Sequence, residues 1–347
     1  MPCSTKTVLL LPALIALGFH SPTSAATAPA WSDYPPLQAI ERSTVEHDGH
    51  RLDVLVRREG EQRSPVLVLV PGSVCMPAFM VANADGKTEL TTSAVLPGPA
   101  AQSAMGVHVA ILERRNIVSL QRYFAPEDLS PVRQLEQHPC TVEYGGMTLE
   151  ERVEDTLAQL AHIRRQPWAG DIFLAGMSEG ADVAAAVAVD PSSSVDALLL
   201  LSGAGMSQFF DFIHASRNKG DRVGAARAFA DLDAFLRDAQ PAHYQGYDSA
   251  RWRSFTIDAT VLDSLLGSRM PVFIVHGEQD TSVPIASVDA AVVELVRRQP
   301  WRGVYYWPIK GAEHDLRVGE KRPADVIYPV FVDWALDQPH GRTYRDN

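Results

Sequence analysis

Residues 171–180 read DIFLAGMSEG, and this stretch predicts the fold. Its first five residues are mainly apolar, which is typical of a strand buried on both faces. A serine, Ser178, then stands between Gly176 and Gly180, and an Ala- and Val-rich segment that predicts a helix follows. A strand, a sharp turn and a helix in this order present the serine hydroxyl at the C-terminal edge of a sheet. The five-residue pattern is short enough to arise by chance, so its setting carries the prediction.

Apolar runs alternate with helical patterns on both sides of this stretch. Strands are predicted at residues 51–57, 65–70, 107–112, 171–175, 195–202, 271–276 and 303–307, and helices at 148–165, 178–189, 285–298 and 324–336. The first strand alternates apolar and polar residues and is predicted to lie at an edge. Thr148 and Glu151 form a capping box that begins the first of these helices. The pattern predicts an α/β fold with a mostly parallel sheet and helices on both faces.

The segment between the fifth and sixth predicted strands is too long for a simple connection. We therefore predict an α/β core made of residues 27–205 and 269–347, with an inserted helical cap at 206–268. Several aromatic residues in the cap either line a substrate pocket or pack the cap onto the core. They are Phe209, Phe210, Phe212, Tyr244, Tyr247, Trp252 and Phe255.

The N-terminus has the pattern of a signal peptide. Lys6 precedes an apolar run from Val8 to Leu17, and small residues follow up to a predicted cleavage near Ala25 or Ala26. We predict that residues 1–26 are removed and that the protein is exported, to the periplasm or the medium, with no integral membrane association afterwards. An uncleaved anchor is the alternative, although Pro12 breaks a run that is short for a bilayer.

Cys3 leaves with the signal peptide, so Cys75 and Cys140 remain as an even pair. In an oxidising compartment the expected outcome is a disulfide between them. Closing a loop of this length would stabilise the fold by roughly 4 kcal/mol in the chain-entropy model. Two separate buried thiols are the alternative.

A serine nucleophile needs a base, and the base needs an acid that orients it. Asp280 follows the predicted strand 271–276, and His314 follows the strand 303–307, so the order is serine, acid, histidine. Asp315 is a rival acid, but neighbouring residues seldom face each other well enough to orient a ring. His276 is predicted to bind a backbone group at the end of its strand.

Composition excludes several classes of function. The chain has 347 residues, of which 46% are hydrophobic and 21% charged, as in ordinary globular proteins. Its formal net charge is -11 and no basic patch is evident, so nucleic acid is not a predicted partner. No metal-binding, nucleotide-binding or dinucleotide-binding motif occurs, and we therefore predict neither a metal nor a cofactor.

Residues 176–180, 276–284 and 311–316 resemble the nucleophile elbow, the acid loop and the histidine loop of α/β-hydrolases. Within that superfamily they most resemble the dienelactone hydrolase, prolyl oligopeptidase and serine aminopeptidase branches. The resemblance implies a serine hydrolase in which Ser178, Asp280 and His314 act together on a small ester or on a peptide. Ester hydrolysis is the first expectation, peptide or amide hydrolysis the second, and a non-catalytic binding protein the third.

Two backbone N–H groups are expected to bind the oxyanion. In this fold one belongs to the residue after the nucleophile, here Glu179, and the other to the loop after the first central strand. Ser73 is the candidate in that loop, with Val74 next. Pro71-Gly72 stands where the family often has His-Gly. The side chain of Glu179 is predicted to be an exposed acid at the helix start. Arg114 and Arg115 are predicted to form a solvated turn, and a clamp for a substrate carboxylate is the alternative.

Overall fold

A computed structural model describes residues 31–73, 77–84, 87–92, 96–123, 146–244, 247–300, 303–317 and 322–338. The predicted signal peptide at 1–26, the predicted Cys75–Cys140 disulfide and the candidate Val74 lie outside these residues. Within them, no helix is both long enough and apolar enough to cross a membrane.

Strands and helices alternate along most of the chain. The strands are β1 (Glu41–His47), β2 (His50–Arg57), β3 (Ser64–Val70), β4 (Phe79–Ala84), β5 (Lys87–Thr92), β6 (His108–Leu112), β7 (Leu120–Tyr123), β8 (Ala169–Met177), β9 (Ala197–Leu201), β10 (His243–Tyr244), β11 (Tyr247–Asp248), β12 (Val272–Gly277) and β13 (Val304–Ile309). The α-helices are α1 (Pro99–Met105), α2 (Leu149–Arg164), α3 (Glu179–Val187), α4 (Gln208–Asn218), α5 (Arg222–Leu236), α6 (Ser249–Arg253), α7 (Val261–Gly267), α8 (Ile285–Arg298) and α9 (Ala324–Leu336). A π-helical turn, Ser254–Asp258, continues α6.

The main sheet has eight strands in the order β1-β2-β6-β3-β8-β9-β12-β13. Neighbours from β6 to β13 pair in parallel, whereas β1 pairs with β2 and β2 with β6 in antiparallel register. The central strands are buried along almost their whole length, as their continuous apolar sequences predict. The predicted mostly parallel α/β sheet is confirmed.

The edge of the sheet differs from the prediction. Strand β2, predicted as an edge strand, lies second, because β1 forms a hairpin with it. Asp48 and Gly49, both with positive φ, make the turn, as a tight two-residue hairpin requires. Strand β1 is polar and half-exposed, so it lacks the apolar pattern that would have predicted it.

Helices cover both faces of the sheet, and the sheet separates two apolar cores. One core lies beneath α2, α3, α7 and α8 and includes Leu160, Ala184 and Val288. The other lies beneath α1 and α9 and includes Met105 and Phe331. Helix α2 begins with the predicted capping box, in which Thr148 and Glu151 bond each other's backbone N–H groups.

Between β9 and β12 the chain forms α4, α5, a two-residue β10–β11 ladder, α6, the π-helical turn and α7. We call residues 206–268 the cap segment. Phe209, Phe235 and Trp252 form a small apolar cluster within it. The N–H of Leu149 donates to Ser254 Oγ at 2.9 Å, which ties the π-helical turn to the start of α2.

A three-stranded sheet, β5-β4-β7, was not predicted. Strand β4 pairs with β5 in antiparallel and with β7 in parallel register.

Four strands of the main sheet, β3, β8, β12 and β13, all end at the same edge. The loops that follow these strands carry the predicted site residues, as expected for the C-terminal edge of a parallel sheet.

Candidate active site

Ser178 occupies a strained turn between β8 and α3. Its backbone has φ 54° and ψ −126°, a conformation that a residue with a side chain rarely adopts and that favours glycine. The N–H of Ser178 donates to Leu201 O at 2.8 Å, and the N–H of Ala181 donates to Ser178 O at 2.8 Å. Both neighbouring elements thus hold the turn in place.

The glycines beside Ser178 allow strand and helix to approach closely. A Cβ atom built at Gly176 would lie 2.0 Å from Gly180 O, and one built at Gly180 would lie 2.4 Å from Val70 O. Gly203 has the same role in the next loop, because its Cβ would lie 2.8 Å from Ser178 O. Backbone packing therefore requires glycine at these positions.

The structure brings the three predicted polar side chains together. His314 Nε2 lies 3.0 Å from Ser178 Oγ, and His314 Nδ1 lies 2.8 Å from Asp280 Oδ2. Both distances are within hydrogen-bond range. An ionised carboxylate only accepts, so Nδ1 carries the ring proton and Nε2 is left to accept from the serine hydroxyl.

Asp280 is held as an ion by its surroundings. Its Oδ1 accepts from the backbone N–H groups of Ser282 at 2.8 Å and Val283 at 3.0 Å. Burial alone would raise the pKa of Asp280, but the bond to His314 and that to the Val283 N–H bring this pKa below its ordinary value. The carboxylate is therefore available to orient the imidazole.

The rival acid and the other nearby histidine take different positions. Asp315 is exposed and accepts from the N–H of Arg317 at 3.0 Å. His276 is fully buried, and its Nε2 donates to Val283 O at 2.8 Å, which braces the loop of Asp280. Burial lowers the pKa of His276 and keeps it neutral.

Two arginines hold the loop that contains Ser73. Arg114 donates to Gly72 O, and Arg152 donates to Pro71 O at 2.9 Å. In a trans peptide the N–H points away from the carbonyl, so the bond to Gly72 O sets the direction of the Ser73 N–H. A Cβ on Gly72 would lie 3.3 Å from Ser178 Cβ, which places this loop against the serine.

The prediction of an exposed Glu179 side chain is wrong. Glu179 is 7% exposed, and its two oxygens accept from Arg152 at 2.6 Å and from Arg251. Arg152 comes from α2 and Arg251 from α6, so the carboxylate joins two other helices to α3. Sequence could not reveal this arrangement, because its three members are far apart along the chain.

The predicted solvated turn at Arg114 and Arg115 is also wrong. Arg114 is buried, and the side chain of Arg115 forms an ion pair with Asp155 at 2.6 Å. Arg114 contacts Gly72 and Arg115 contacts Asp155, and both partners are distant in the sequence, so the sequence does not reveal that the arginine side chains are largely buried.

A cavity of about 260 Å³ opens beside Ser178, between the sheet edge and the cap segment. Its walls combine the candidate residues with polar and aromatic side chains. They include Ser73, Ser178, Glu179, Asp182, Gln208, Asp211, Phe212, Tyr247, Arg251, Trp252, Phe255, Val283 and His314. Phe212, Tyr247, Trp252 and Phe255 line the cavity, and Phe255 also belongs to the core of the sheet. Phe209 packs inside the cap segment.

Two carboxyl groups in this cavity were not predicted. Asp182 lies on α3, one turn beyond Ser178, and Asp211 lies on α4 of the cap segment. Burial, with the neighbouring charge of Asp211, raises the pKa of Asp182 to about 8. Burial also raises the pKa of Asp211 to about 7, and the charge of Asp280 adds to this effect. The available signal was Asp182 itself, an acid followed by an apolar run in the helix beside the serine.

Comparison with solved structures identifies proteins of the same architecture. Est1E from Butyrivibrio proteoclasticus superposes with a TM-score of 0.51 at 16% identity, over 86% of this chain and 99% of its own. The 2,6-dihydroxy-pseudo-oxynicotine hydrolase gives 0.50 at 17% identity, over 88% of this chain and 70% of its own. An acylaminoacyl peptidase from Pyrococcus horikoshii gives 0.51 at 13% identity, over 85% of this chain and 40% of its own. At such identities the likeness concerns the fold.

Comparisons of the sequence with protein-family models and with curated proteins found no relative. No protein-family model matches the chain, and no curated protein is similar to it.

Proposed function

We propose that this chain, which has the α/β-hydrolase fold, is a serine hydrolase that cleaves a carboxylic ester through an acyl-enzyme. The observation that carries the proposal is the chain of contacts from Asp280 through His314 to Ser178. A polar chain of this kind at the C-terminal edge of the sheet, open to a cavity, has the parts that acyl transfer needs.

In the first step Ser178 Oγ attacks the ester carbonyl while His314 Nε2 accepts the hydroxyl proton. Asp280 stabilises the imidazolium that forms and keeps the ring oriented. The carbonyl oxygen becomes an oxyanion, which the backbone N–H groups of Glu179 and Ser73 bind. Collapse of this intermediate breaks the bond to the alcohol oxygen, and His314 returns the proton to that oxygen.

In the second step water replaces the alcohol. His314 Nε2 accepts a proton from the water as its oxygen attacks the acyl carbonyl, and the same N–H groups bind the second oxyanion. Breaking the bond to Ser178 Oγ releases the carboxylic acid, and the proton on His314 returns to the serine. Each atom and proton is accounted for without a cofactor.

A fluorophosphonate probe tests the nucleophile. The protein should gain one covalent label on Ser178, detected by peptide mass spectrometry, and Ser178→Ala should gain none. Asp280→Asn should slow labelling by roughly 10³-fold or more, because the wrong tautomer is favoured, whereas the matched Asp315→Asn should label at the normal rate. An unlabelled Ser178 in the folded protein would refute the serine hydrolase.

A substrate panel separates ester from amide hydrolysis. p-Nitrophenyl esters of short acids and aminoacyl p-nitroanilides release chromogenic leaving groups, so one absorbance assay covers both. We expect turnover of the esters. Turnover confined to the anilides would replace the esterase by a peptidase that uses the same three residues.

A further inference from the structure

We propose that the cavity beside Ser178 binds a primary ammonium group of the substrate between Asp182 and Asp211. The inference rests on the proposed function and names its substrate class: esters that carry a cationic amine a short chain away from the scissile carbonyl. The geometry behind it is a buried carboxylate oxygen that lacks a partner and belongs to a residue lining the cavity beside Ser178.

Asp211 is the central observation. It is 5% exposed, yet its Oδ1 has no hydrogen-bond partner among the described residues. Ser287 bonds the carboxyl group, and the Ser287 hydroxyl in turn accepts from the N–H of Met206 at 2.9 Å. Buried polar atoms are nearly always paired, because an unpaired one costs about 1–3 kcal/mol. Asp211 lines the cavity, so a ligand that enters there with N–H groups would offer this oxygen a partner.

Asp182 supplies the second carboxyl. Gln208 bonds it, and no salt bridge joins it or Asp211 to a cation in the part of the chain that the structure describes. Asp182 stands four residues after Ser178, roughly 6 Å further along the helix axis. An amine held there would be separated from the reacting carbonyl by several methylene groups.

The charges around the cavity favour a cation. The two guanidinium groups nearby, Arg152 and Arg251, both bind Glu179. With Asp182 and Asp211 ionised, these three carboxylates and two guanidinium groups sum to one negative charge. One ammonium would neutralise the set, whereas a carboxylate ligand would double the excess.

Aromatic side chains complete the site. Phe212 and Trp252 line the same cavity and pack edge to face with their ring centroids 5.6 Å apart. Aromatic faces attract ammonium groups, and their apolar surface suits the methylene chain of the ligand. Burial raises the pKa values of both carboxyls, and the charge of a bound ammonium would lower them.

Binding is tested first without turnover. Calorimetry with n-pentylammonium chloride should give saturable binding to the native protein, whereas 1-pentanol should bind at least about tenfold more weakly. Asp211→Asn and Asp182→Asn should each weaken amine binding about tenfold. Asp333→Asn, an exposed acid on α9, is the matched control and should bind normally. Equal binding of amine and alcohol, or full binding to both cavity variants, would overturn the proposal.

Turnover is tested with isosteric pairs. We compare ethyl 6-aminohexanoate with ethyl heptanoate, and 6-aminohexyl acetate with heptyl acetate, so that the amine lies in the acyl group or in the alcohol. In at least one pair kcat/KM should favour the amine about tenfold, and Asp211→Asn should abolish the preference, whereas the control Asp333→Asn should keep both the preference and the turnover of the alkyl ester. Preference for the alkyl ester in both pairs would refute the inference and leave the serine hydrolase intact.

The preference should also depend on pH. Asp182 and Asp211 face each other's charge, with Arg152, Gln208, Asp280 and Ser287 as the other groups acting on them. Their ionisation between about pH 6 and 8 should raise the preference for the amine, whose own charge stays constant. A preference that is flat with pH and unchanged by both substitutions would contradict the site. A protein that binds the amine but takes no fluorophosphonate label would instead refute only the hydrolase.

Discussion

Ser178 holds a conformation that only glycine adopts easily. Positive φ in a residue with a side chain costs of order 1–3 kcal/mol, and the packed glycines around the turn prevent its relaxation. The strain directs Oγ out of the turn, to within 3.0 Å of His314 Nε2. Part of the stability of the fold is therefore given up at the position of the proposed nucleophile.

This strain gives a stability prediction. Ser178→Gly relieves the backbone, whereas Ser178→Ala keeps a Cβ and removes only the hydroxyl. We expect the glycine variant to be more stable than the alanine variant by about 1 kcal/mol, after the larger entropy loss of glycine on folding. Urea unfolding of both inactive variants measures the difference. Equal stability, or a more stable alanine variant, would mean that the turn is not strained.

If the proposed reaction takes place, we expect Arg114 to act on it through the Gly72–Ser73 peptide plane. Its bond to Gly72 O sets the direction of the Ser73 N–H, so Arg114→Met should lower kcat by about tenfold or more and change KM little. Arg114→Lys, which can still donate to Gly72 O, should restore part of kcat. Arg115→Met is the matched control, because it breaks a neighbouring ion pair with Asp155 but does not touch this loop. A similar loss of kcat in both methionine variants would show a merely structural effect.

Two helices that line the cavity carry the carboxyl groups with raised pKa values: α3 carries Asp182, which is half-buried, and α4 carries Asp211, which is buried. Because burial raises the pKa of Asp182 to about 8 and that of Asp211 to about 7, the native state binds protons that the unfolded chain releases above about pH 4. This packing should therefore make the free energy of unfolding depend on pH.

The free energy of unfolding should fall as the pH rises from about 5 to 8, because the native state holds more protons there than the unfolded state. The double variant Asp182→Asn and Asp211→Asn removes this contribution and should flatten the decline. Asp333→Asn should keep the slope of the native protein, as should any exposed substitution. Chemical denaturation at several pH values provides the measurement, and unchanged slopes in the double variant would contradict the raised pKa values.

Across the whole molecule, Glu179 joins helix α3 to another helix of the core and to the cap segment. Its carboxylate binds Arg152 on α2 and Arg251 on α6, and the Arg251 guanidinium lies 4.4 Å from the ring centroid of Tyr247. All three ionic side chains are buried. The attachment of the cap therefore depends on a charge at the N-terminus of α3.

Removing the Glu179 carboxylate should lower the stability of the protein. Glu179→Ala leaves two guanidinium groups buried together, and we expect it to destabilise the protein by about 3–5 kcal/mol in chemical denaturation. Glu294 also binds two arginines, Arg297 and Arg298, but on the surface of α8. Glu294→Ala should change stability little, since solvent screens such pairs. Comparable losses in the two variants would contradict the importance of burial.

Sequence predicted the features that local patterns encode. Apolar runs predicted the central strands, and the glycine-flanked serine predicted the turn at Ser178. Strand β1 was not predicted, because its mostly polar sequence lacks the alternation of apolar and polar residues. Asp211 and the partners of Glu179 escaped for another reason: their environment is created when distant helices pack, and residue type alone does not reveal burial or a missing partner.

Glu179 separates two properties within one residue. Its backbone N–H is expected to bind the oxyanion, whereas its side chain forms the ion pair with Arg251 of the cap segment. A different cap could thus be grafted onto this scaffold by redesigning the carboxylate and its arginine partners, with the backbone donor left in place. Under the proposed function, protein engineering could therefore change the attachment of the cap segment at position 179 and keep the backbone group expected to bind the oxyanion.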